Sequence, residues 1–244
     1  MKPTFLIIGT MKSGTTSAMA YFNQHPSIYI SWAELHFFDK NENYKKGIKW
    51  YENHFKEKIP QIGEKTPAYS FSRVALQRIK KHYPDIKLIL FLRDPVYRAY
   101  SQYNHMLQAT IRKGKDSPYY HNLELSFLDL VKADEKKKNF RYQKTIFQKG
   151  CYIDQIEYIL KLFPRNQLKI VIFEHYVKDY LKQNNELFKF LGVSSVKKLI
   201  VKKEHVRKHE RKITKEEIAY LKKKYKPYNE RLFKFLGYRI KEWL

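Results

Sequence analysis

Apolar positions along this chain fall into two patterns, short unbroken runs and stripes at three- and four-residue spacing. The runs Thr4–Ile8, Ile86–Leu92 and Leu168–Phe173 predict strands buried on both faces. Between them the spacing predicts helices. Thr15 to Gln24 reads as one, with Pro26 just past its end. Residues 47 to 55 place Ile48, Tyr51 and Phe55 on one face. Ser72 caps a helix to Tyr83 that Pro84 stops, and Pro95 opens another over about 95–110. Tyr152, Ile156, Ile159, Leu160 and Phe163 form an amphipathic stripe, and further helices fill 184–191 and 214–237. Gly114 and Pro118 break any period over 112–122, which reads as a loop. Strands alternating with helices predict an α/β fold, a central parallel sheet flanked by helices. No repeat or low-complexity linker divides it, so residues 1–244 read as a single domain. Strand order is not in the pattern.

Composition narrows the setting. The 49 Lys and Arg against 24 Asp and Glu give a formal net charge of +25, spread along the whole chain. Such a field attracts nucleotides, acidic glycans or other polyanions, but Lys-rich usage across a genome yields the same number. Cys151 is the single cysteine, which excludes an intramolecular disulfide and fits a reducing compartment. No apolar run reaches the roughly 20 residues a membrane span needs, and no secretory h-region precedes the first strand. The expectation is a cytoplasmic protein without a membrane span.

The first strand runs into Gly9-Thr10-Met11-Lys12-Ser13-Gly14-Thr15-Thr16 and then a helix. Loops of this kind bind phosphate because free backbone N–H groups and the helix dipole converge there. The arrangement is P-loop-like, yet a nucleoside-triphosphatase loop needs Lys directly after the second Gly. Here Thr15 follows Gly14, and the lysine sits at the apex, Lys12. On the loop alone, an ordinary strand-to-helix turn remains open beside a phosphate cradle.

The loop resembles the 5′-phosphosulfate loop of sulfotransferases that use 3′-phosphoadenosine-5′-phosphosulfate (PAPS). The resemblance continues in order through Glu34-Leu35-His36-Phe37-Phe38-Asp39, Gly47-Ile48-Lys49-Trp50-Tyr51, Glu64-Lys65-Thr66-Pro67-Ala68-Tyr69 and Arg93 to Tyr103. Together these are similar to the heparan sulfate branch, both N- and 3-O-sulfating.

That resemblance implies PAPS as donor, PAP as product and no metal requirement. It implies that Lys12 stabilises the leaving phosphate and that Ser13, Gly14, Thr15, Thr16 and Ser17 cradle the 5′-phosphate. Glu34 takes the place of the family's general base, a role that suits a carboxylate whose pKa partial burial raises. His36 either orients Glu34 or serves the structure. Lys65 matches a lysine near the transferred group. His105 stands where N-sulfating members carry a helping histidine, though a solvent-facing helix histidine reads equally well. Arg93 and Ser101 match the pair that grips the 3′-phosphate. Arg207 and Lys208 occupy the place of a closing basic loop, without that loop's glycine, and a solvated charge run competes with this reading.

The implied acceptor is a saccharide or another hydroxyl- or amine-bearing compound, not nucleic acid. Oligomeric state is not legible. A P-loop kinase or hydrolase and a non-catalytic polyanion-binding module remain the competing functions.

Overall fold

The computed structural model describes residues 1–120, 125–136, 145–200 and 211–244. All three apolar runs are strands: β1 is Phe5–Gly9, β4 is Lys87–Leu92 and β5 is Leu168–Ile172. Two more strands join them, β2 at Ile28–Ile30 and β3 at Gln61–Lys65. The sheet is parallel throughout, in the order β2-β3-β1-β4-β5. β2 has only three residues, and β3 carries Gly63, Glu64 and Lys65, so neither shows the apolar run that marks its neighbours. Glycine is needed in β3 because a Cβ at Gly63 would come within 2.6 Å of the Phe5 ring.

The helices are α1 (Thr15–Phe22), α2 (Asn41–Tyr44), α3 (Ile48–Glu52), α4 (Arg73–His82), α5 (Pro95–Lys113), α6 (Phe127–Lys136), α7 (Tyr152–Leu162), α8 (Phe173–Lys178), α9 (Tyr180–Leu191) and α10 (Lys215–Leu236). Several ends follow local chemistry. The Ser72 hydroxyl accepts from Ala75 N, Asp94 accepts from Val96 N beside Pro95, and Thr214 with Glu217 forms a reciprocal capping box.

Three expectations shift. The 112–122 loop gives its first residues to α5 and a 3-10 turn, Gly114–Asp116. α6 has no counterpart among the predicted helices, and α9 starts at Tyr180 rather than 184 because Asp179 caps it. α10 matches the helix expected over 214–237 and runs through Pro227.

The residues gather into two compact units, Met1–Arg93 with Ile156–Glu204, and Asp94–Gln155 with His205–Leu244. The first holds the sheet. Phe5, Ile7, Ile89, Phe91 and Val171 face a core completed by Ala18, Met19 and Phe22 of α1, Tyr176 of α8, and Leu187, Phe188 and Leu191 of α9. Leu6, Ile8, Leu88, Leu90 and Leu92 alternate to the other face and are equally buried. The second unit centres on Val96, Ala99, Tyr103 and Met106 of α5, with Phe127, Leu130 and Val131 of α6 and Leu221 and Tyr225 of α10. There Arg98 is fully buried, donating to Gln102 Oε1 at 2.8 Å and to the Ile146 carbonyl. Among the described residues no helix is long and apolar enough to cross a membrane.

Candidate active site

In a parallel sheet every strand ends on the same edge, and that edge collects the loops able to bind ligands. In the first unit β1 delivers the loop over 9–16 there, the segment after β2 delivers Glu34, β3 ends on Lys65 and Arg93 follows β4.

The first loop is braced from within. Thr10 N and Thr10 Oγ1 both donate to the Phe91 carbonyl at 2.8 Å, and Thr10 Oγ1 lies 2.7 Å from Ser13 Oγ. Ser13 is fully buried, so its hydroxyl serves the loop itself. Gly14 is the N-cap of α1 at φ +83° and brings no side chain to the helix start. A Cβ there would meet the Phe173 ring at 2.7 Å, on top of the left-handed backbone. The first turn of α1 contains no acidic residue, and no side chain caps its end. This geometry fits an anion. Lys12, half-buried at the apex, holds φ +69°. Its carbonyl accepts from Arg93 Nη1 at 3.1 Å, and the Arg93 guanidinium lies over the Phe173 ring.

Lys65 joins the loop to Glu34. Its ammonium, almost wholly buried, lies 2.6 Å from Glu34 Oε1 and 3.3 Å from Thr16 Oγ1 on the first turn of α1. His36 approaches the other Glu34 oxygen at 3.6 Å through Nε2, while its Nδ1 sits 2.9 Å from Asp39 Oδ2. The Asp39 bond and the Glu34 contact raise the His36 pKa to about 9, against partial burial. Glu34 reverses an expectation. Burial alone would raise its carboxyl, but the His36 hydrogen bond and the Lys65 charge outweigh burial and hold it below the ordinary glutamate value. Lys12 and His36 are also the two non-glycine residues with positive φ among those described. Holding such residues left-handed costs on the order of 1 kcal/mol each, a strain typical of functional sites.

A sulfotransferase-domain model matches residues 2–231. The chain belongs to the sulfotransferase family. Among curated proteins it is 33% identical over 193 residues to a mouse heparan sulfate glucosamine 3-O-sulfotransferase 5, covering 78% of this chain and 54% of that protein. It is 34% identical over 209 residues to the mouse bifunctional heparan sulfate N-deacetylase/N-sulfotransferase 3, covering 79% of this chain and 22% of the relative. The chain thus spans about half the length, or less, of these curated relatives. Among solved structures, a sulfotransferase from Alicyclobacillus acidocaldarius matches at TM-score 0.79 and 26% identity, covering 100% of this chain and 99% of the other.

Of the residues singled out in this sulfotransferase sequence, Lys12, Ser13, Gly14, Thr15, Thr16, Ser17, Glu34, Lys65 and Arg93 all lie in the first unit. Ser101 and His105 lie in the second, one turn apart on α5, and the His105 ring sits 6.3 Å from that of Tyr119. Arg207 and Lys208 lie outside the described residues. Asp39 and Glu64 went unassigned in the sequence, although both stood inside quoted motifs. The i, i+3 spacing of His36 and Asp39 was the available signal for the first. Nothing in the sequence marked Glu64 as buried. No group of three or more His, Cys, Asp and Glu among the described residues is placed to hold a metal ion.

Proposed function

We propose that this chain acts as one PAPS-dependent sulfotransferase domain over residues 1–244, moving a sulfuryl group onto a hydroxyl or amine of a saccharide. The observation that carries the reading is the contact of Glu34 with Lys65, itself in reach of Thr16 at the anion-ready start of α1. That contact supports reading Glu34 as a base and Lys65 as a cation that act beside a phosphate cradle. The saccharide acceptor rests on the heparan sulfate enzymes among the relatives.

PAPS, when bound, supplies the sulfuryl group and leaves as PAP. The α1 N-terminus, with Gly14 to Ser17, holds the 5′-phosphate through backbone N–H groups and the Thr15, Thr16 and Ser17 hydroxyls. Lys12 neutralises charge on the departing phosphate oxygen, and Lys65 faces the transferred group. Glu34 Oε2 accepts the acceptor's proton while His36, fixed by Asp39, keeps the carboxylate oriented. The lowered Glu34 pKa keeps it ionised and ready at neutral pH. Movement of Lys65 from Glu34 toward an incoming anion would strengthen Glu34 as a base, because burial would then act with less opposition. By the family resemblance alone, Arg93 and Ser101 are each assigned to the 3′-phosphate and His105 to the acceptor.

Calorimetric titration with PAP and with ATP, followed by a mass-spectrometric screen for PAPS-dependent gain of SO₃ on glycans, tests the reading. PAP binding well above ATP with sulfation of at least one saccharide is expected. Equal affinity for ATP with magnesium-dependent turnover would indicate a kinase or hydrolase. Heparin binding with no sulfate transfer would leave a polyanion-binding module.

A further inference from the structure

Glu64 precedes Lys65 on β3, so its side chain leaves the opposite face of the strand, and it is fully buried. A carboxylate in such a place is costly unless its lone pairs are met. Here they are. Oε1 accepts from the Tyr51 hydroxyl at 3.0 Å and the Tyr69 hydroxyl at 2.7 Å. Oε2 accepts from Thr66 Oγ1 at 3.1 Å and Leu35 N at 3.4 Å. The Tyr69 oxygen in turn accepts from Phe37 N at 3.1 Å and Phe38 N at 3.5 Å. Three backbone N–H groups in the four residues after Glu34 therefore converge on one carboxylate, directly or through a single hydroxyl. From the other side Asn43 Nδ2 donates to the Leu35 and His36 carbonyls, and Arg78 Nη1 to that of Phe38. Between these two sets of anchors His36 is held at φ +48°.

We propose that Glu64 is a positioning residue of the transfer reaction, whose carboxylate fixes through Leu35 N–H and the Tyr69 hydroxyl the backbone that aims Glu34 and His36. The proposal rests on the reading of Glu34 as base. A stability role alone does not need this arrangement, since well-packed apolar residues commonly stabilise an interior as well as a buried charge does. The anion suits this site best. All four partners donate to it, and the Leu35 N–H cannot reverse its direction as a hydroxyl can. Protonation would remove the charge that draws that N–H and so loosen the segment next to Glu34. Burial pushes the Glu64 pKa up to about 7, against the pull of the Tyr69, Tyr51, Thr66 and Leu35 donors. The titratable groups facing it are Tyr51 of α3, Tyr69 after β3 and, further out, Tyr83. All three have raised pKa values, first through burial, and stay neutral here. The positioning set should therefore weaken as pH falls through about 7.

The test measures kcat, KM for donor and acceptor, and PAP affinity for the whole chain and its variants over pH about 5 to 9. Glu64→Gln is expected to lower kcat about 10–100-fold while PAP affinity stays within about twofold, and to remove the wild-type acid limb near pH 7. Tyr69→Phe and Tyr51→Phe each delete one hydroxyl donor to the same oxygen, but only Tyr69 relays to Phe37 and Phe38. Tyr69→Phe is expected to lose several-fold more kcat than Tyr51→Phe. Wild-type kcat and an unmoved acid limb in Glu64→Gln would overturn the proposal, and so would equal losses in the two tyrosine variants. That tyrosine contrast still decides the matter if Glu64→Gln fails to fold. A separate Glu34→Gln arm tells the two readings apart. Full activity there removes the base assignment, whereas the Glu64 proposal falls on its own two outcomes.

Discussion

Glu34, four residues past β2, and Glu64, near the end of the adjacent β3, have surroundings that push them in opposite directions. Glu34 lies at the rim with its side chain 39% exposed, yet a lysine and a histidine hold its carboxyl low. Glu64 is surrounded by hydroxyls and a backbone amide in the interior, and burial drives its carboxyl up to about 7. Neutral donors solvate an anion without opposing its charge, whereas cations do both. The difference shows what each region is suited to. The rim keeps a base ionised and addressable, and the interior holds the rim in place.

The sharpest way to break the comparison is Glu34→Ala. Transfer should fall by about 10²–10⁴-fold, with PAP affinity nearly unchanged by calorimetry. A fully active variant would strip the rim of its catalytic role. Lys65→Ala comes next, with kcat down roughly 10²-fold or more. It should also move the acid limb belonging to Glu34 upward, because burial then acts without the Lys65 charge; a pH–rate profile reads that shift. Asp39→Asn should cost less, about tenfold, since it weakens only the partner that fixes His36.

The smallest effect is on stability. His36 has a folded pKa of about 9, above the ordinary 6.5. Its contribution is therefore complete below about pH 6.5 and is lost as pH rises through 9. Unfolding free energies from urea melts over that window should fall, by about 3 kcal/mol from this group, and the fall should vanish in His36→Gln. A free energy that stays flat in the wild type would mean the rim does not hold its histidine charged.

Much of this molecule was readable from one sequence. The runs at β1, β4 and β5 were legible because a strand buried on both faces must be apolar at every position. The Gly9–Thr16 loop was legible because glycine and an apex lysine are local chemistry. Glu34 and Lys65 were found through motifs, not pattern, and their 2.6 Å contact could not be inferred from positions 31 residues apart.

The short strand β2 escaped because three residues show no period. α6 escaped too, its ten residues lying next to a stretch with no clear period. The expected raised pKa of Glu34 failed for a related reason. Its sign depended on which groups other strands brought near, and burial was only one of them.

By itself, then, the sequence determined the alternation of strands and helices, the anion-ready loop after β1 and the family to which the chain belongs. These follow from local propensity, apolar patterning and ordered motifs. Only the tertiary structure decided the strand order β2-β3-β1-β4-β5, which sets β3 beside β1 and so brings Lys65 to both Thr16 and Glu34. It alone turned Glu64 inward and Lys65 toward the rim. Both carry charge and stand side by side in sequence, and the pleat of one strand sends them to opposite faces of the sheet.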